Sequence, residues 1–171
     1  MPTFAGDDWK GVTEMNIEAR KMILDNVNKK EGFPNEYYPF LLPAIPQFRM
    51  TRRLTGDFEL DDAEPHIMYE DAIGLTGDWR NSGPVFSLPY RCLTACKTPN
   101  LLAAGRCISV TDSMWDITRA IPVCAVTGEA AGTAAAIAVS DHTGVRDIAI
   151  KKLQQRLKKQ GVLFKLPSEN G

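Results

Sequence analysis

Residues 99–140, PNLLAAGRCISVTDSMWDITRAIPVCAVTGEAAGTAAAIAVS, decide how this chain is read. Leu101 to Ala104 is a short apolar run between a Pro-Asn turn signal and Gly105, the pattern of a buried strand entering a tight turn. A loop leads from there to a helix that starts near Ile121, because Pro122 suits a first helical position, where its missing N–H costs nothing. The helix body carries Ala125, Gly128, Ala131, Gly132 and Ala135. A glycine inside a helix costs about 1 kcal/mol relative to alanine. Two of them imply that a sheet or a ligand comes close to the helix backbone.

Outward from this stretch, Val85 to Tyr90 reads as a strand, and Cys92 to Asn100 connects it to the apolar run. The cluster Gly74, Gly77, Asp78, Asn81, Ser82 and Gly83, with Trp79 inside it, predicts a loop. Gln47 to Leu60 predicts a strand, broken by Gly56-Asp57 into a hairpin, and Asp61 to Glu70 a short acidic turn. Tyr37 to Pro46 holds three prolines and fits an extended segment. Upstream, a helix is expected from Thr13, capped by that residue, with Met15, Ala19, Met22, Ile23 and Val27 on one face and an end by Gly32. Downstream, His142 to Gly144 makes a break. A last helix capped by Asp147 then turns Ile150, Leu153 and Leu157 inward and ends at Gly161.

Composition bounds the function classes. A chain of 171 residues with 44% hydrophobic and 24% charged residues is that of a soluble globular protein with one ordinary core. A net charge of -1 gives no electrostatic reason to expect nucleic acid or an anionic membrane as a partner. Cys92, Cys96, Cys107 and Cys124 are too sparse for a disulfide scaffold, and reduced thiols in the cytoplasm are expected. The Cys92–Cys96 spacing is not C-x-x-C and no second pair or histidine cluster accompanies it, so no metal site is expected. Ile121 to Val139 carries a G-x-x-x-G and has the length of a membrane span, but Glu129 near its middle argues against insertion.

At Leu101 to Gly132 the chain resembles the C-terminal part of FAD-dependent oxidoreductases with a two-part dinucleotide fold, of the fumarate-reductase and glutathione-reductase types. The resemblance extends to Leu88–Leu93 (LPYRCL), similar to a lead-in strand, and to Arg49–Leu54 (RMTRRL), similar to a strand of the substrate region. It implies an α/β fold: the last strand and helix of a Rossmann-like FAD domain plus antiparallel strands of a substrate-binding region. Residues 1–96 would belong to the substrate region and 97–171 to the FAD domain. It implies FAD as cofactor, with Ala104, Gly105 and Arg106 beside the ribityl and pyrophosphate. The helix start at Ile121 to Cys124, with Ile121, Pro122 and Val123 as cofactor-binding residues, would turn its N-terminal amides to the O2 edge of the isoalloxazine, in the manner of any helix N-terminus toward an anion. Arg119 would stabilise an anionic flavin or substrate, and Arg52 and Arg91 would be substrate-side or catalytic arginines. Each of the three also has the ordinary alternative of an ion pair.

The G-x-G-x-x-G turn of the family is absent from the sequence. The chain therefore reads as a C-terminal piece of a flavoenzyme. Two functions follow as expectations. One is hydride transfer between a small organic substrate and flavin. The other is a non-catalytic subunit that completes a flavin site with a second chain, or that self-associates, because an incomplete sheet leaves an edge and apolar surface uncovered.

Overall fold

The computed structural model describes residues 4, 6–30, 35–36, 38–42 and 49–166. The chain divides into two compact units, 1–52 and 53–171.

The first unit is built on α1, Trp9–Asn28. It starts one turn earlier than Thr13 because Asp8 is the stronger cap: its carboxylate accepts from the N–H groups of Lys10 (2.8 Å) and Gly11 (2.9 Å). Thr13 instead lies inside the helix and its hydroxyl donates to the Trp9 carbonyl at 2.7 Å. Met15, Ala19, Ile23 and Val27 form a half-buried stripe as expected, whereas Met22 is exposed. Much of the Tyr37–Pro46 segment and the start of the predicted 47–60 strand lie outside the described residues.

The second unit holds the core. Strands β1 (Ala72–Gly77) and β2 (Val85–Pro89) form an antiparallel hairpin, with α2 (Asp112–Thr118), α3 (Ile121–Asp141) and α4 (Ile150–Lys159) packed around it. The register passes from Ala72↔Pro89 to Leu75↔Ser87, so β1 carries one extra residue, a bulge that contains Gly74 at φ 156°. α3 begins at Ile121, with Pro122 in its first turn, and ends on His142 in the left-handed conformation. Its inner face is Val123, Thr127, Ala130, Ala134, Ile137 and Ala138, all buried at helical spacing. That face meets a core that includes Ile73, Leu88, Ile117, Leu153 and Leu157, each with essentially no exposure. Among the described residues α3 is the helix whose length and composition would suffice to cross a membrane, and here its inner face is the centre of this core.

Four expectations need correction. Gly74 and Gly77, read as loop residues, belong to β1, where the bulge takes up Gly74 and Gly77 still pairs with Val85, so the loop begins only after Gly77. Leu101 to Ala104 is not a ladder strand: Leu102 makes a single antiparallel bridge to Thr94, and Leu101 is 45% exposed. The run is extended, but its one neighbour, residues 93–95, is too short to give more than two flanking bonds, Ala103 N–H to Leu93 and Ala95 N–H to Leu101. Residues 53–60 likewise form only the isolated bridges Gly56↔Ala95 and Leu60↔Val110. The close approach inferred from Gly128 and Gly132 is also not made at those residues, since a Cβ at either would meet nothing within 4 Å.

Two helix starts also differ. α2 falls in what was read as a loop, capped by Thr111, with Met114, Trp115, Ile117 and Thr118 buried. α4 starts at Ile150 behind Ala149 and without a side-chain cap, while Asp147 closes the preceding turn by its N–H to the Gly144 carbonyl.

Candidate functional site

The N-terminus of α3 is the point on which several elements converge. Ala120, its N-cap, offers no side-chain acceptor and Pro122 has no N–H, so the first-turn amides of Ile121 and Val123 face outward uncapped. Ile121 is 85% exposed and Val123 is buried in the core, which fixes the helix end from within.

Against this end lies the turn Gly105–Cys107, a single 3-10 turn that follows extended Ala104. Gly105 takes φ 75°, a conformation that disfavours any side chain, and its N–H donates to Thr127 Oγ1 at 2.9 Å. Thr127 in turn donates to the Val123 carbonyl one turn back, at 2.8 Å. The buried hydroxyl of Thr127 therefore pins the turn to the helix. From the other side, Trp115 Nε1 donates to the Arg106 carbonyl at 2.6 Å. The Arg106 side chain points to solvent. Among the described residues of this unit, Arg106 and Arg156 are the arginines that make no ion pair, so Arg106 keeps a free guanidinium beside the α3 N-terminus.

The tip of the β1–β2 hairpin supplies the opposite wall. A surface pocket of about 310 Å³ is lined by Leu75, Thr76, Asp78, Trp79, Pro122 and Val123, among others. Trp79 is 59% exposed yet held in place: its indole N–H donates to the Asp116 carbonyl at 2.9 Å and the Arg119 guanidinium lies 5.5 Å from its ring. Arg119 itself pairs with Asp116 at 2.6 Å. Arg80 is the hub of the tip, bonded to Asp78 (2.9 and 3.0 Å) and Asp62 (3.3 Å). Its guanidinium holds the Asp78 carboxyl far below the usual carboxylate range. The charged side chains around the pocket are thus paired, and Trp79 gives it one aromatic wall.

The site residues divide accordingly. Ala104, Gly105, Arg106, Ile121, Pro122 and Val123 lie together, and Arg119 reaches them through Trp79. Arg91 lines a different pocket of about 350 Å³ with Asp57, Asp71, Tyr90 and Arg146, and is bonded to Asp71 by Nε (3.0 Å) and Nη2 (3.3 Å). Arg52 belongs to the first unit, where it donates to the Asp7 carbonyl at 3.3 Å. Thr127 and the walling role of Trp79 escaped the sequence reading. The signal for Thr127 was present as the one polar residue on the buried stripe of α3.

These features fit a flavin. An uncapped helix N-terminus suits the electron-rich edge of the ring, a Cβ-free turn admits close approach to the chain, and a free guanidinium suits a phosphate or carboxylate. The residues that cradle an adenosine pyrophosphate through glycines have no counterpart in the sequence. Among the described residues no group of three His, Cys, Asp or Glu side chains is placed to hold a metal ion.

No curated protein and no solved structure matches the chain. The sequence does match the FAD dependent oxidoreductase family over residues 3–157, most of its length. That match, over most of the chain, identifies it as a member of the FAD-dependent oxidoreductases.

Proposed function

We propose that this chain supplies the ring side and the substrate side of a flavoenzyme that transfers hydride between a small organic molecule and FAD. When bound, FAD supplies a two-electron acceptor and donor for a carbon-bound hydride. The chain's own residues bind and orient. The first-turn amides of α3 favour negative charge at the edge of the ring, Arg106 offers its free cation to the ribityl-phosphate side, and the Gly105 turn, held by Thr127, keeps both at a fixed spacing. The pocket beneath Trp79 selects a substrate with a flat or apolar part, because its two charged neighbours, Asp78 and Arg119, are each already paired. Arg119 acts through Trp79, by holding the indole in place. Arg52 and Arg91 are the substrate-side arginines of this reading, and residues 1–96 and 97–171 its substrate and flavin regions. Four free thiols support a cytoplasmic location.

The observation that carries this reading is the convergence of the uncapped α3 end, the positive-φ glycine and the unpaired Arg106 on one face. The test is the visible absorption spectrum of the purified chain with and without added FAD, taken after gel filtration. Retained flavin bands that are lost in Arg106→Ala support it. A chain that stays colourless and lets FAD elute separately overturns binding by this chain alone.

A second reading rests on a different observation. The outer face of α3, with Ile121, Ala125, Gly128, Gly132, Ala136 and Val139, is apolar and exposed. In this reading the chain is not an enzyme by itself and completes a flavin site with a second chain or a second copy. A colourless oligomer, or flavin that is retained only when a chain carrying the glycine fingerprint is added, supports it.

A further inference from the structure

Two of the four cysteines meet at the turn just described. Cys107 ends the 3-10 turn, is exposed, and has its Sγ 3.3 Å from the Ala104 carbonyl. Cys124 sits in the first turns of α3, half-buried, with Sγ 3.7 Å and Cβ 3.9 Å from the position a Cβ on Gly105 would take. Both thiols therefore lie at the same short turn, Cys107 within it and Cys124 packed on Gly105, near enough that Cys107 acts electrostatically on Cys124. A disulfide needs Cα atoms within about 7 Å, and Cys107 stands two residues from Gly105, the residue on which Cys124 packs.

The other two thiols are set differently. Cys92 is buried in the core and burial pushes its thiol up to about 12, which leaves it inert. Cys96 lies midway along the 92–100 connection, half-buried, with its N–H donating to the Thr55 carbonyl at 3.1 Å. At the Gly105 turn burial raises the Cys124 thiol as well, and the Arg106 cation offsets only part of that rise.

We propose that Cys107 and Cys124 are a redox pair, which a low-molecular-weight disulfide such as oxidised glutathione converts into an intramolecular disulfide that fastens the Gly105 turn to α3. The Cys107 thiolate attacks one sulfur of the oxidant, the oxidant's S–S bond breaks, and one half leaves as a thiolate that takes up the Cys107 proton. The Cys124 thiolate then attacks Sγ of Cys107, the mixed disulfide breaks, and the second half leaves with the Cys124 proton. Two thiols of the protein are oxidised, one disulfide of small thiols is reduced, and two small thiols are released. The step needs no flavin and stands apart from the flavin reading. Its consequence for that site is a locked turn.

The experiment is peptide mass analysis of the full chain under non-reducing conditions, after incubation with oxidised glutathione, acid quench and alkylation. The expected product is one cross-linked pair of peptides containing Cys107 and Cys124, two hydrogens lighter than their sum, with Cys92 unmodified. In Cys124→Ser, glutathione should stay on Cys107 as a stable mixed disulfide, and in Cys107→Ser, Cys124 should react much more slowly. A wild-type chain that holds glutathione on Cys107 while Cys124 remains alkylatable, or cross-links through Cys92 or Cys96, overturns the proposal.

Discussion

Gly74 and Val126 meet where β1 lies across α3: a Cβ on Gly74 would fall 2.5 Å from Cγ1 of Val126, and Gly74 holds φ 156° in the bulge of the hairpin. A methyl group there collides with a β-branched side chain that has one preferred rotamer in a helix. Gly74→Ala should therefore destabilise the chain by about 1–3 kcal/mol, the usual cost of overpacking, read as a lower urea midpoint. Val126→Ala in the same chain should recover part of the loss. If Gly74→Ala unfolds at the wild-type midpoint, β1 and α3 are not in contact there.

That contact also shows what was legible in the sequence. The two glycines of α3 signalled an approach to their own backbone that the chain does not make there; the glycine that permits a close contact with α3 is Gly74, on the strand. Pro122 placed the start of α3, but the buried stripe was not placed: the small residues read in the helix body, Ala125, Gly128, Ala131, Gly132 and Ala135, are exposed or half-buried, and the core is met instead by Val123, Thr127, Ala130, Ala134, Ile137 and Ala138. α2 was missed because seven residues give barely two turns of periodicity, and its cap, Thr111, lies in a run that also reads as a turn. The strand expected at Leu101–Ala104 failed for another reason: an apolar run predicts burial and extension, but a ladder needs a neighbour, and no local pattern encodes one. For the site, Gly105 and Pro122 were readable because each marks a special backbone, glycine by admitting a positive φ and proline by fixing φ and lacking an N–H. Thr127 and Trp79 were not, as their roles come from partners 22 and 37 residues away.

Thr127 is the residue whose loss should loosen the candidate site without disturbing the core shape. Thr127→Val keeps the volume but removes the acceptor for the Gly105 N–H, leaving a part-buried donor unpaired at a cost of about 1–3 kcal/mol. The Gly105 amide should exchange with deuterium faster, while amides of β1 and β2 keep wild-type protection. Unchanged exchange at Gly105 would refute the tie.

The hairpin tip should carry a pH dependence with a definite sign. Hydrogen bonds from Arg80 hold Asp78 below its ordinary range in the folded chain, so the unfolded chain binds more protons there. The stabilisation is complete above the unfolded value, about 4, and is lost as pH falls toward the folded one. The difference in thermal midpoint between the wild type and Asp78→Asn should be constant from about pH 7 to 5 and shrink below about pH 4. A difference that widens on acidification would show that Arg80 does not stabilise the carboxylate.

The outer face of α3 separates folding from association. Gly128 is exposed, and a side chain there meets nothing within 4 Å. Gly128→Leu should not harm the isolated chain and should raise its stability by up to about 1 kcal/mol through helix propensity. If a second chain or copy packs on this face, the same leucine holds the two backbones apart and association fails. The measurement is the mass in solution of wild type and variant by light scattering, alongside their thermal midpoints. A wild-type oligomer that Gly128→Leu converts to a monomer of equal or higher midpoint assigns the face to a partner. An oligomer unchanged by the leucine places the association elsewhere, and a variant that unfolds early means that Gly128 is packed within the chain after all.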